Sequence, residues 1–476
     1  MTLMRTSTSI LAEMRRAAAL ARRSLRCLMT ATIGILFCLS SASADSQENP
    51  AGSKEFQLAN GLRVFLMEKH AVRLVNAVVG VDAGIKDEVP ETSGLAHLLE
   101  HYLLLRGDAS REPPEARLNL QGHGAYINAL TGLDMTLFEI SLPSEFAEFG
   151  LRSLKETVFN LKTNEEELDK EKKVILEEIS KSEDDPVRLA TALVYENLFM
   201  GHPYGNPLYG RRNVVDALTV KQLEDFHKKL YVSSNSVLAV VGDFSLVEME
   251  ERVKSVFGDI PQAGASPFHA EYASKPAKPI EVERKLDIQE AFLVVGLPAP
   301  DYNHPGQYAM DVLTEILGRG MTPLLYSALR GRRDLVQTIS MGYSAHRSGG
   351  VVIIIFSLEP GNVKSAKREL LDYLKTTRKG MFAPEDYLGD AAVEAFDYLE
   401  SAKNRIRFKS EEAREKGLDL ALSIASFMLM NEIPARGGYL EAIGKLKSGD
   451  LRKAADTFLS RGEAVIVSVL PVKKRK

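Results

Sequence analysis

β-Branched and aliphatic residues crowd two early stretches, residues 62–69 and 73–84, where Val64, Leu66, Val75, Val78, Val79 and Val81 predict two strands joined by a short turn. A helix is expected next, capped by Thr92 or Ser93 and ending near Gly107. Residues 124–143 return to strand character, with a turn near Gly132. Helices follow over 144–160 and 164–183, with Pro186 just beyond the second, then over 187–199 and 219–230. Ser236 to Gly242 is an unbroken small and aliphatic run, the mark of a buried strand.

Periodicity is lost over 263–283, where Pro267, Pro276 and Pro279 stand among Ala, Ser and Gly; this stretch is read as a linker between a first domain, 45–262, and a second, 284–476. The second domain opens on a new strand at Ala291–Val295. Helices at 305–318 and 321–331 precede strands at 335–346 and 350–358. Helices then fill 363–378, 384–431 with breaks, and 437–459, and Ala464 to Leu470 closes this half as Ser236 to Gly242 closes the first. The order of elements points to a duplicated mixed α+β unit, although the two halves share no obvious sequence.

Composition adds little until the N-terminus is set apart. The chain has 476 residues, 45% of them hydrophobic and 26% charged, and a net charge of −4, which gives no footing for a nucleic-acid surface. Residues 1–44 hold Arg5, Arg15, Arg16, Arg22, Arg23 and Arg26 against one acid, Glu13. An apolar run, Leu28 to Leu39, and small residues ending in Ala42-Ser43-Ala44 follow. Basic, apolar, small is the layout of a signal peptide cleaved after Ala44, which predicts a periplasmic or secreted protein with no stable membrane insertion after cleavage. An uncleaved anchor and an organellar transit peptide are the rival readings. Both cysteines, Cys27 and Cys38, would leave with the leader, so any metal in the mature chain would be held by His and carboxylate.

The chemistry concentrates in His97-Leu98-Leu99-Glu100-His101, inside the first predicted helix. Residues four apart lie one turn apart on one face, so His97 and His101 can grip one ion. Glu100 stands on the adjoining edge, where a carboxylate can take a proton from water beside the ion. Zinc suits two imidazoles and one carboxylate with a fourth position open. The helix over 164–183 offers that carboxylate: Glu171 and Glu178 are seven apart and share a face, which makes Glu178 the candidate ligand and Glu171 its outer neighbour or a proton-relay partner.

His-x-x-Glu-His followed by a distant Glu is the inverzincin signature, and the chain resembles the pitrilysin/insulinase family in its half-length branch, similar to mitochondrial processing peptidase and bacterial zinc proteases. Ser93-Gly94-Leu95-Ala96, Asn128-Ala129-Leu130-Thr131, the helix from Glu171 to Glu178, His202-Pro203-Tyr204-Gly205 and Val240-Val241-Gly242-Asp243 carry the resemblance, which is dense in the first half and thin in the second. It implies two similar domains, each a mostly antiparallel sheet with helices on one face. It implies that two chains close around a chamber and that peptide substrates add a strand to a sheet edge. Ala125 to Leu130 would be that edge, with Asn128 and Ala129 meeting the substrate; Asn128 as a plain strand-end turn residue is the alternative.

One expected feature is missing. Family members often carry, in the second domain, an Arg and a Tyr seven residues later that hold the substrate carbonyl. Arg330 fits the Arg, unless it is only part of the basic cluster Arg330, Arg332, Arg333, but Gln337 stands at the Tyr position. The resemblance therefore implies a zinc endopeptidase that works as a homodimer, or as a heterodimer with a related subunit supplying the Arg/Tyr pair. A peptide-binding or assembly subunit without turnover, and a zinc hydrolase of small non-peptide substrates, are the rival functions.

Overall fold

The computed structural model describes residues 52–106, 113–262, 278–320, 323–331, 334–376, 397–430, 435–459 and 463–472. The leader read over 1–44 and most of the linker read over 263–283 lie outside them.

The first half contains β1 (Ser53–Gln57), β2 (Arg63–Glu68), β3 (Leu74–Val81), α1 (Leu95–Arg106), α2 (Pro113–Gly122), β4 (Tyr126–Thr131), β5 (Thr136–Pro143), α3 (Ala147–Phe159), α4 (Glu165–Asp184), α5 (Pro186–Leu198), α6 (Arg212–Ala217), α7 (Val220–Leu230), β6 (Ser236–Gly242) and α8 (Leu246–Phe257). The second contains β7 (Ile280–Leu286), β8 (Ala291–Ala299), α9 (Gln307–Gly318), β9 (Thr338–Ser344), β10 (Gly350–Leu358), α10 (Val363–Thr376), α11 (Tyr398–Glu415), α12 (Gly417–Leu429), α13 (Ala435–Lys445), α14 (Ser448–Ala454) and β11 (Val465–Pro471). Two of the strands escaped the hydrophobic pattern because they lie at sheet edges and are rich in charge. β1 had no reading, and the residues 280–283 assigned to the linker begin β7.

Strand order settles the duplication. The first sheet runs β1-β2-β6-β3-β5-β4 and the second β7-β11-β8-β10-β9. Without β1 the two orders are the same. In each, the first strand pairs in parallel with the last, and every other neighbour is antiparallel. β6, buried along its whole length, sits at the centre of its sheet, as its unbroken apolar run requires.

Helices α1, α3, α4, α7 and α8 bury Leu98, Leu151, Ile175, Leu223 and Met249 on one face of the first sheet. On the second sheet, α9, α11, α13 and α14 do the same with Leu313, Ile406, Ile443 and Leu451. The opposite faces are covered by exchange. Helix α12 of the second half lays Ala421, Ala425, Met428 and Leu429 on Phe65, Val78, Val237 and Val241 of the first sheet. Helix α5 of the first half lays Ala190, Val194 and Leu198 on Val294, Val351 and Val467 of the second. A glycine on the equivalent strand admits each visitor. A Cβ on Gly80 of β3 would stand 2.9 Å from Leu429, and one on Gly296 of β8 would stand 2.1 Å from Val194. Overpacking a filled interface typically costs about 1–3 kcal/mol, so Gly296→Ala is expected to lower the thermal midpoint by several degrees. An unchanged melting curve would contradict this packing. No helix among the described residues is long and apolar enough to cross a membrane.

Candidate metal centre

Helix α1 carries His97, Glu100 and His101, and its start is fixed from outside. Neither Thr92 nor Ser93 caps it, contrary to the sequence reading. Thr92 Oγ1 is bonded to Val89, and Ser93 Oγ is buried without a hydrogen bond. The cap is Glu88, whose carboxylate accepts the backbone N–H of Gly94 (3.0 Å) and of Ala96 (2.9 Å). A carboxylate at a helix N-terminus is favourable. Burial nevertheless pushes the Glu88 pKa up to about 8, with the two N–H donors opposing. Gly94 adopts φ +95° and lies against Gly210 at φ +82°. A Cβ on Gly210 would stand 2.5 Å from the Ser93 carbonyl, so only two glycines allow this approach. The contact brings the ring of Tyr209 to 5.0 Å from that of His97, edge to face.

Helix α4 packs across α1 and delivers the acids. Glu178 Oε2 lies 3.8 Å from His97 Nε2 and 3.7 Å from His101 Nε2. Two imidazole nitrogens and a carboxylate oxygen thus face one point. In a tetrahedral zinc site with bonds near 2.0–2.1 Å, donors stand about 3.4 Å apart, so the set fits zinc with small adjustments. The other side of the His101 ring is held by Glu171, 3.4 Å from Nδ1. That bond places the proton on Nδ1 and leaves the Nε2 lone pair free for a metal, the usual outer support of a metal-binding histidine. Burial, with His101 nearby, pulls His97 down to about 3, so its imidazole is neutral. Burial also pulls on His101, but the hydrogen bond it donates to Glu171 and the charges of Glu178 and Glu100 outweigh it and raise its pKa.

Glu100 belongs to the same group, with donor atoms of His97, Glu100 and His101 within 4.8 Å of one another. Its carboxylate is engaged by the side chain and backbone of Thr131, at the end of β4. Burial raises its pKa despite these bonds. β4 is the edge strand of its sheet, so its outer backbone groups face no strand among the described residues. Along it Ala129 and Thr131 share a face by strand alternation, and Ala129 joins the core that α1 lies on. Asn128 points to the opposite face, and its amide donates to Glu139 Oε1 (3.3 Å), which Tyr126 also reaches (3.1 Å).

The structure thus brings together His97, Glu100, His101, Glu171 and Glu178, with Ala129 alongside. Arg330 is occupied in its own half. It donates to the backbone carbonyl of Gln337, and its guanidinium lies 5.4 Å from the Tyr326 ring. The Gln337 side chain donates to Glu359 (3.1 Å). Sequence reasoning missed Glu88, Tyr209 and the bond from Thr131 to Glu100, all set by contacts between distant segments that leave no spacing to read. In the second half, α9 packs on α11 as α1 does on α4, but the groups there are an ion pair, Glu315 with Lys409 (2.5 Å). Among the described residues the one candidate metal group is in the first half.

The support from Glu171 predicts that Glu171→Gln lowers zinc affinity about 10- to 100-fold, measured by competition with a chelator. Equal affinity would show that His101 does not need it.

Comparison with known proteins agrees with both halves. A model of the insulinase family, peptidase family M16, matches residues 63–212, and a model of the peptidase M16 inactive domain matches residues 217–388. A zinc protease of Helicobacter pylori is 22% identical over 444 residues, covering 92% of this chain and 97% of its own. An uncharacterised zinc protease of Mycobacterium leprae is 26% identical over 326 residues, covering 68% of this chain and 73% of its own. Among solved structures, a protease from Helicobacter pylori superposes with a TM-score of 0.79 at 22% identity, over 88% of this chain and 99% of that one. A peptidase M16 inactive domain from Pseudomonas fluorescens gives 0.76 at 21% identity, over 89% and 99%. At these identities the structural matches speak for the fold.

Proposed function

We propose that this chain, which belongs to the insulinase family of peptidases (family M16), is a zinc-dependent endopeptidase acting on peptides and unfolded segments. The observation that carries this reading is the convergence of His97 Nε2, His101 Nε2 and Glu178 Oε2, with Glu171 holding the far side of one ring.

His97, His101 and Glu178 would hold the ion. Bound zinc supplies a Lewis acid that makes water acidic and stabilises charge on a carbonyl oxygen. The chain's own groups do the rest. The Glu100 carboxylate, kept in place by Thr131, takes the proton of the attacking water and passes it to the leaving amide nitrogen. Burial makes it a better base than an exposed carboxylate. The free edge of β4 pairs with the substrate backbone, which selects extended chains and rejects folded ones.

A second reading concerns partners. Arg330 is tied to Gln337, and Gln337 offers no phenol, so a related subunit would supply the Arg/Tyr pair and close a chamber over the site. On this reading the chain is the metal-bearing member of a pair. Export after cleavage at Ala44 belongs to the same proposal. A binding-only subunit would have no use for a buried Glu100 aimed beside the histidines.

The test is hydrolysis of a mixed library of unstructured peptides, followed by mass spectrometry, with and without a zinc chelator. Cleavage that stops on chelation and returns with zinc supports the reading. Cleavage that survives chelation would sink it. Zinc bound without cleavage would favour the paired-subunit form.

A further inference from the structure

The His202-Pro203-Tyr204-Gly205 turn lies outside the metal centre, yet Tyr204 is fully buried. Its hydroxyl donates to Asp134 Oδ1, and the backbone N–H of Ser348 donates to that hydroxyl (3.3 Å). The other Asp134 oxygen accepts the backbone N–H of Arg347 (3.1 Å). His346 completes the group, with Nδ1 3.9 Å from Asp134 Oδ2 and Nε2 bonded to the Tyr195 hydroxyl (3.1 Å). The Arg347 guanidinium donates to Asp82 Oδ1 (3.1 Å) and to the Leu429 carbonyl (3.2 Å). Asp134 and His346 are each 5% exposed. Residues 346–348 form the β9–β10 loop of the second half, so one buried carboxylate is shared between the halves.

Asp134 also sits in the turn of the β4–β5 hairpin. The turn closes through Gly132 N–H to the Met135 carbonyl (2.8 Å) and docks on the chain before α1 through Ile85 and Lys86, whose N–H groups reach Gly132 (3.2 Å) and Leu133 (2.8 Å). A Cβ on Gly84 would stand 2.7 Å from the Gly132 carbonyl, so the fit is close. Three residues before Asp134, Thr131 ends the edge strand and holds Glu100.

We infer that Asp134 is a positioning residue. The second half grips its carboxylate, and that grip sets the β4–β5 hairpin so that Thr131 holds Glu100 and the β4 edge stands ready for a peptide. This gives the second half a function in the reaction. The rate consequence rests on the proposed peptidase reading; the structural consequence does not. Charge-bearing hydrogen bonds shared by two segments fix orientation more firmly than apolar contact does. A small displacement of a catalytic group lowers the rate far more than it lowers binding.

The test uses Tyr204→Phe, which removes the hydroxyl that donates to Asp134 and accepts from Ser348 and keeps the ring, and Asp134→Asn, which turns an acceptor into a donor facing N–H and O–H groups. Each is compared with Gly296→Ala, a packing change at the α5 interface that keeps every side chain of the Asp134 group. The expected result is a fall in kcat of about tenfold or more with KM little changed and zinc per chain unchanged. Amide exchange over residues 126–131 should be faster in the two hairpin variants and not in Gly296→Ala. Unchanged kcat at equal zinc content, or losses that merely follow thermal stability as in Gly296→Ala, would overturn the inference. If the chain proves to have no peptidase activity, that reading of function fails, and amide exchange still decides: protection of 126–131 equal to wild type in Tyr204→Phe rejects the grip. Should Asp134→Asn not fold, Tyr204→Phe carries the test alone.

Discussion

Glu100→Gln is expected to retain zinc and to lose peptide hydrolysis by about a hundred- to ten-thousandfold. The amide preserves the size of the side chain and can still meet Thr131, so α1 and the β4 end should stay in place. What it loses is the capacity to accept a proton. The loss should appear in kcat, with KM for a given peptide nearly unchanged, because the β4 edge that binds the backbone is untouched. A variant that keeps a tenth or more of wild-type kcat would mean that another group moves the proton. A variant that loses zinc as well would place Glu100 among the ligands, since its donor atom and those of the two histidines lie within 4.8 Å of one another.

His97→Ala should have the largest effect on metal. It removes one of three donors and leaves His101 and Glu178, 3.7 Å apart, as a two-point site. Zinc content after dialysis should fall to background while the wild type retains it. The same comparison appears in stability. A ligand held only by the native state at about 1,000 times its dissociation constant adds about 4.1 kcal/mol, so zinc should raise the thermal midpoint of the wild type and leave that of His97→Ala where it was. Since His97 is 7% exposed and packed against Tyr209, the variant also leaves a small cavity, and the two metal-free proteins are the proper baseline. An equal zinc-induced shift in both would show that the ion sits elsewhere.

How much of this was written in the sequence depends on the range of the contact. His97, Glu100 and His101 are local: four residues make a turn, and the pattern states its own geometry. Glu171 and Glu178 are local to each other, and their pairing with α1 followed from the need of a zinc site for one more carboxylate. Most strands and helices were legible because apolar residues recur at the period of the element. The edge strands β1 and β7 were not, since one side of an edge needs no apolar partner and charge is tolerated there. The exchange of α5 and α12 could not be read at all. Leu193, Val194, Met428 and Leu429 are plainly core residues, but nothing in their spacing says whose core. Gly80 and Gly296 mark the receiving strands, and a glycine inside a strand is a sign of close approach that could have been followed. Glu88 was hidden for the opposite reason: the Thr and Ser beside α1 offered an ordinary local cap, and a buried acid six residues before Gly94 took its place. Asn128 matches the family stretch, yet strand alternation turns its side chain away from Glu100 and gives that contact to Thr131.

The most direct test of the central claim is a zinc titration of the metal-free chain, followed by the rate of cleavage of one peptide chosen from the library. A single site predicts a rate that rises in proportion to added zinc and stops rising at one ion per chain. A rate independent of zinc, or one still rising well beyond one ion per chain, would contradict a single zinc site built from His97, His101 and Glu178.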